Sequence, residues 1–162
     1  MPVQASMRKY DSGACSLTAS RRLRDVGGRW QSRSMAGIRD LSGWVGVVLN
    51  APDARTLAAF YRDLLGWDLV GDDPHFVAMG MPGAPANLAF QTESLYERPT
   101  WPAESGKQQM MLHLDIGVRS LDKAVEDAVA LGAELPEHQP QDDVRVLLDP
   151  AGHPFCLYVD TD

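Results

Sequence analysis

The residues best equipped for chemistry are few and scattered. His113 and Asp115 stand at i and i+2 in an apolar stretch, a spacing that puts both on one side of a strand. There the carboxylate can hold the ring, and an imidazole with a free pKa near 6.5 suits proton transfer at neutral pH, so His113 is the candidate general base. Cys156 lies in a second apolar stretch, as a small buried residue or as a soft metal donor. Gln91 ends a run that is otherwise largely apolar and needs a polar partner. Arg145 supplies a cation among apolar neighbours. Trp101, set among Pro99 and Pro102, could clamp a planar molecule across a cleft. The remaining histidines are less promising: His75 and His138 read as solvated, and His153 as part of a turn. The acidic pairs Asp72-Asp73 and Asp142-Asp143 sit in polar loops, with no apolar setting to raise a pKa. There is no G-x-S-x-G elbow, P-loop, dinucleotide fingerprint or paired C-x-x-C, which leaves nucleophilic and nucleotide-driven chemistry without support.

The chain that must position these residues has 162 of them, 44% apolar and 23% charged, the composition of one globular domain. Its formal net charge of −7 disfavours nucleic acid as a partner. No apolar run approaches the roughly 20 residues of a bilayer span. Cys15 and Cys156 lie in segments of very different character, so a reducing, cytoplasmic setting is expected. The charge is unevenly placed. Residues 1–34 hold seven basic residues against Asp11 and Asp25, whereas the rest hold eight basic and twenty acidic. Residues 1–42 lack any sustained period and read as a disordered basic extension, with Met35 as an alternative true start. Ser12-Gly13-Ala14-Cys15 superficially resembles a lipoprotein cleavage site, but the preceding residues lack the apolar stretch of about 7 to 15 that export requires.

From residue 43 a pattern emerges. Trp44–Leu49 is a short β-branched run that reads as a buried strand, ended by Pro52. Asp53 is placed to cap a helix whose stripe is Leu57, Phe60, Tyr61, Leu64 and Leu65, closed by Gly66. Residues 67–70, 75–81 and 87–92 follow as strands between Gly, Pro and Asp turns. The order then repeats. Residues 110–116 read as a strand, Ser120 as a cap, and Leu121, Ala124, Val125, Ala128 and Leu131 as a stripe closed by Gly132. Strands at 133–135, 144–148 and 154–159 complete it. Two β-α-β-β-β modules, residues 43–93 and 110–160, are thus joined by a semi-rigid arm at 94–109. Only two copies exist, so each sheet needs the other to enclose a cleft.

Three motifs carry a resemblance. They are Leu57-Ala58-Ala59-Phe60-Tyr61-Arg62-Asp63-Leu64-Leu65-Gly66-Trp67, His113-Leu114-Asp115, and Asp149-Pro150-Ala151-Gly152-His153-Pro154-Phe155-Cys156-Leu157. With the arm Pro99-Thr100-Trp101-Pro102, they make residues 43–160 resemble the glyoxalase-like domain branch of the vicinal oxygen chelate superfamily. The resemblance implies an α+β fold in which two βαβββ modules form a cup-shaped open barrel. It also implies, in metal-dependent members, one divalent cation held by the first, fourth, fifth and eighth strands. Matched residue by residue, those positions fall on Gly46, Gln91, His113 and Cys156. Glycine has no donor, and glutamine is a neutral one. The carboxylates that offset an ion's dehydration are missing.

The expectation is therefore a protein that binds a small apolar or aromatic molecule in the cup without a tightly bound metal. Gln91, Trp101, His113, Asp115, Arg145 and Cys156 are its expected ligand-binding residues. The alternative is a metal-dependent lyase, dioxygenase or isomerase, with His113, Cys156 and Gln91 holding one divalent ion, Zn²⁺ by donor type. Small molecules are the expected partners, with nucleic acid and membrane excluded. A homodimer is a further expectation, since many members of the superfamily pair.

Overall fold

A computed structural model describes residues 45–84 and 87–160. The expectations for residues 1–42, for Trp44 and for Cys15 lie outside these. The first module runs β1 (Val47–Ala51), α1 (Ala54–Leu65), β2 (Asp68–Asp73), β3 (Phe76–Gly80) and β4 (Leu88–Thr92). Asp53 caps α1, its Oδ1 accepting the Thr56 N–H at 2.7 Å. Gly66 ends the helix in the left-handed region at φ 64°, and its N–H donates to the Arg62 carbonyl. The strands form one sheet in the order β1-β4-β3-β2, with β1 parallel to β4 and the others antiparallel. Register partners share a face. Leu49, Phe90 and Val77 therefore point together toward the core, while Asn50 and Gln91 point to the opposite side.

The second module runs β5 (Leu114–Val118), α2 (Leu121–Ala130), β6 (Val144–Leu148) and β7 (Pro154–Val159), in a sheet ordered β5-β7-β6. Again the first strand is parallel to the last. The architecture is α+β, with two sheets that do not close into a barrel.

The structure corrects four details. From Val45 on, the run expected as a buried strand is not one: β1 begins at Val47, lies at the edge of its sheet, and leaves Val47 and Val48 exposed. A short apolar run does not distinguish a strand covered on both faces from an edge strand covered on one. The strand expected from Met110 starts only at Leu114, so His113 precedes β5 instead of lying within it. Ser120 has the backbone of a cap, but its side chain makes no capping bond, and Leu131 is exposed beyond the stripe. Finally, the strand expected at 133–135 is a single bridge between Glu134 and Leu148. Pro136 and Pro140 cannot donate to a ladder. The Gln139 carboxamide takes over there, accepting from the Val146 N–H and donating to the Val146 carbonyl, both at 2.9 Å.

One core serves both modules. Tyr61 of α1 stacks on Phe90 of β4, with centroids 5.4 Å apart, and meets Phe155 of β7 edge-on at 6.3 Å. Phe60 also packs against Phe155. The first helix thereby contributes to the burial of the second module's last strand.

Candidate functional site

Two groups of side chains have chemical potential. The first stands on the second sheet. Asp115 and Cys156 are register partners on β5 and β7, and the His113 Nε2 lies 3.3 Å from the Asp115 Oδ1. One donor atom from each of the three falls within 4.8 Å of the others. The His113 and Asp115 side chains are 42% and 61% exposed. Burial, followed by the charge of Asp115 and a hydrogen bond to it, pushes the Cys156 thiol up to about 11. A single carboxylate does not suit a hard octahedral ion, and Gly46 adds no donor. Imidazole, carboxylate and thiolate do match the donor preferences of Zn²⁺, although the thiol must give up its proton to the metal. The structure sets Asp115 beside His113 and Cys156. Gln91, the third donor expected from sequence, belongs to the other sheet, between Asn50 and Phe76.

Trp101 and Arg145 have structural attachments. The Trp101 Nε1 donates to the His138 carbonyl at 3.3 Å, and its ring lies 6.0 Å from that imidazole. This ties the arm to the loop after α2. Arg145 is in register with Leu157, on the opposite face of the sheet from Cys156. Its guanidinium donates to the Asp142 and Val144 carbonyls at 2.9 Å and to the Gln141 carbonyl at 3.4 Å.

The second group lines a cleft of about 360 Å³. Val48 and Asn50 of β1 form one wall. The arm supplies Leu95, Tyr96 and Pro99, the approach to β5 supplies Met110 to Leu112, and His153 and Pro154 close the end. Beneath His153 lies a polar network that the sequence did not disclose. The Asp149 carboxylate is 1% exposed, and its oxygens receive four donors. Oδ1 accepts the N–H groups of Ala151 and His153 at 2.9 and 3.0 Å. Oδ2 accepts the Tyr61 hydroxyl at 3.0 Å and faces the His153 Nδ1 at 2.8 Å. On the other side of the ring, the Tyr96 hydroxyl lies 3.2 Å from the His153 Nε2 and 2.9 Å from the Ala151 carbonyl. Burial, then the charge of Asp149, drives the Tyr61 hydroxyl well above its usual 10. The same two causes push Tyr96 up to about 12.

From sequence, Asp149 and His153 read as turn residues, and they do make the turn. The available signal was the short spacing of a carboxylate and an imidazole immediately before an apolar strand. The tyrosines that complete the network are 88 and 57 residues away from their respective partners.

With this fold and these groups in view, the family can be stated. Residues 46–158 match the family described as Glyoxalase-like domain, and the chain belongs to it. Several solved structures share its fold. A glyoxalase/bleomycin resistance protein/dioxygenase family enzyme from Burkholderia phytofirmans PsJN is 23% identical, with a TM-score of 0.53 over 68% of this chain and 93% of that one. A glyoxalase-related enzyme from Fulvimarina pelagi is 21% identical, with a TM-score of 0.52 over 74% and 89%. The fosfomycin resistance protein FosX from Listeria monocytogenes is 17% identical, with a TM-score of 0.55 over 75% and 95%. At these identities the likeness carries the fold alone. A search of curated proteins finds no match.

Proposed function

We propose that this chain binds a small, largely apolar or aromatic molecule without a tightly held metal ion, and that the cleft between β1, the arm and the start of β7 receives it. The observation that carries this reading is the cleft's lining. Val48, Leu95, Pro99 and Met110 to Leu112 are apolar, and Asn50, Gln108, Gln109, His153 and the acidic Glu93 and Glu97 make up the polar part of the lining. About 360 Å³ lies within the range of small-ligand sites. We place the protein in the cytoplasm. Val48, Leu95, Met111 and Leu112 are exposed at the cleft, which supports pairing of two copies across this rim. Among the described residues, no helix is long and apolar enough to cross a membrane.

The test is thermal stabilisation by a panel of aromatic compounds, with elemental analysis of the same preparation. A ligand at a hundredfold excess over its Kd should add about 2.7 kcal/mol. Substitution of Val48 by Asp should abolish the effect. Absence of any stabilising compound, or a stoichiometric ion lost on His113→Ala, overturns the reading.

The second reading is a metal-dependent lyase, dioxygenase or isomerase, and the observation favouring it is the convergence of His113, Asp115 and Cys156. These three would hold the ion, which would polarise a substrate oxygen. His113 would be oriented by Asp115. Zn²⁺ titration followed by His113→Ala and Cys156→Ser separates the readings, because stoichiometric binding lost in both variants supports the second.

A further inference from the structure

The cleft draws its charge from one segment. Residues 93–97 of the arm supply both of its acidic residues, Glu93 and Glu97, and the described lining holds no lysine or arginine. A short turn fixes them there. The Glu93 N–H donates to the Ala51 carbonyl at the end of β1 at 2.8 Å, and the Tyr96 N–H donates back to the Glu93 carbonyl at 3.2 Å. Glu93 is partly buried, and its Oε1 accepts the Leu95 N–H at 3.1 Å and the Ser94 hydroxyl at 3.5 Å. Its Oε2 and both oxygens of Glu97 have no partner among the described residues. The cations of the arm do not neutralise the pair. Arg98 and Lys107 lie outside the lining, and Arg98 is bound to Glu134 at 2.7 Å. Burial, then the charge of Asp149, raises the Tyr96 hydroxyl to about 12, so the field at the lining is negative even with Arg98 nearby.

We propose that the cleft selects an organic cation, a molecule with an apolar or aromatic body and one positively charged nitrogen of the amine or quaternary ammonium class. This inference rests on the proposed cleft reading and names its ligand class. Two carboxylates on an open surface would be ordinary; here they border an apolar cleft, and that decides the sign of the charge it accepts. Any molecule that fills the cleft takes water from Glu93 and its neighbours. A purely apolar molecule leaves those oxygens with nothing in exchange, and an anion adds repulsion, whereas a cation supplies the missing partner. The other groups of the lining agree. Tyr96 brings an aromatic ring, whose face attracts a cation. The Gln108 amide nitrogen donates to the Gln109 carbonyl at 2.9 Å, which leaves its Oε1 as an acceptor. Elsewhere in the lining, Val48, Met110, Met111 and Leu112 carry no charge, and the unbranched methionines adapt to bodies of different outline. Charge of one sign along the wall also raises the local concentration of the cation and speeds its arrival.

Two isosteric probes separate the failures of the two readings. The (4-hydroxymethylphenyl)trimethylammonium ion and 4-tert-butylbenzyl alcohol have the same outline and differ in one atom, a charged nitrogen in place of a carbon. Isothermal titration calorimetry on the full-length chain at low salt should show the cation binding about tenfold tighter, the ratio that about 1.4 kcal/mol produces. Raising the salt to about 1 M, where charges are felt over only about 3 Å, should bring the ratio toward unity. Glu97→Gln should reduce the ratio by about threefold, the scale of one exposed ion pair, and Glu93→Gln combined with it should erase the preference. Glu126→Gln, at an exposed position of α2 outside the cleft, removes the same net charge and should leave the ratio as in the wild type. Equal affinity for the two probes refutes the cation reading and leaves the cleft reading standing. Binding of neither refutes both. A preference that survives the double substitution, or that Glu126→Gln lowers as much as Glu97→Gln does, overturns the assignment to Glu93 and Glu97. Should Glu93→Gln fail to fold, because Glu93 holds the turn, Glu97→Gln decides alone.

Discussion

Removing the Tyr61 hydroxyl tests whether the buried network holds the two modules together. Tyr61→Phe keeps the ring that stacks on Phe90 and meets Phe60 and Phe155 edge-on, so apolar burial is nearly unchanged. What is lost is one of four donors to a carboxylate that water cannot reach. A hydrogen bond to a charged group contributes about 1.5–3 kcal/mol, and the exposed-to-solvent alternative is absent here, so a loss of about 2 kcal/mol is expected. In urea unfolding the midpoint should fall with the slope unchanged, because the surface exposed on unfolding is the same. The same substitution in an Asp149→Asn background should cost less, since the pair is coupled. The pH dependence adds a second signature. Tyr61 titrates higher in the folded chain than in the unfolded one, so its contribution is complete below the usual value of 10 and is lost as pH rises above it. Tyr61→Phe should therefore flatten the alkaline loss of stability. A change below about 0.5 kcal/mol, or an unaltered alkaline limb, refutes the reasoning.

Other substitutions probe separate features. Asp53→Ala should cost about 1 kcal/mol by removing the α1 cap. Its hydrogen bonds to Thr56 hold this carboxyl below the usual range, so the stabilisation is present above the unfolded value and fades as pH falls through the folded one. Denaturation curves of variant and wild type should converge in strong acid. Alkylation of Cys156, followed in a Cys15→Ser background, should be slow at neutral pH and accelerate toward about pH 11, and Asp115→Asn should speed it by relieving the adjacent charge. Gly152→Ala should lower stability by more than about 1 kcal/mol. The glycine has φ 95°, and an added Cβ would collide with the Arg98 side chain; thermal melting with unchanged stability would refute this.

Local elements were legible where the determinants were local. The α1 stripe, Asp53 and Gly66 lie within one segment, and both helices and the strand order, except for the strand expected at 133–135, follow from such segments. What escaped was what depended on partners distant in the chain. The exposure of β1 follows from which strands flank it, and its residue types do not record that. Arg145 suggested a pocket cation, but its register with Leu157 turned it to the other face. Asp149 and His153 carried no visible sign that Tyr61 and Tyr96 would surround them. His113, Asp115 and Cys156 could be named individually, whereas their meeting required the parallel pairing of β5 with β7.

The carboxamide of Gln139 has a consequence for how molecules of this protein meet. By engaging both main-chain groups of Val146, it denies a foreign strand the open hydrogen-bonding positions that edge-to-edge aggregation exploits. The β6 side of the second sheet is sealed by one side chain. Sheet extension between molecules is thereby left to the other edge strands, β1, β2 and β5.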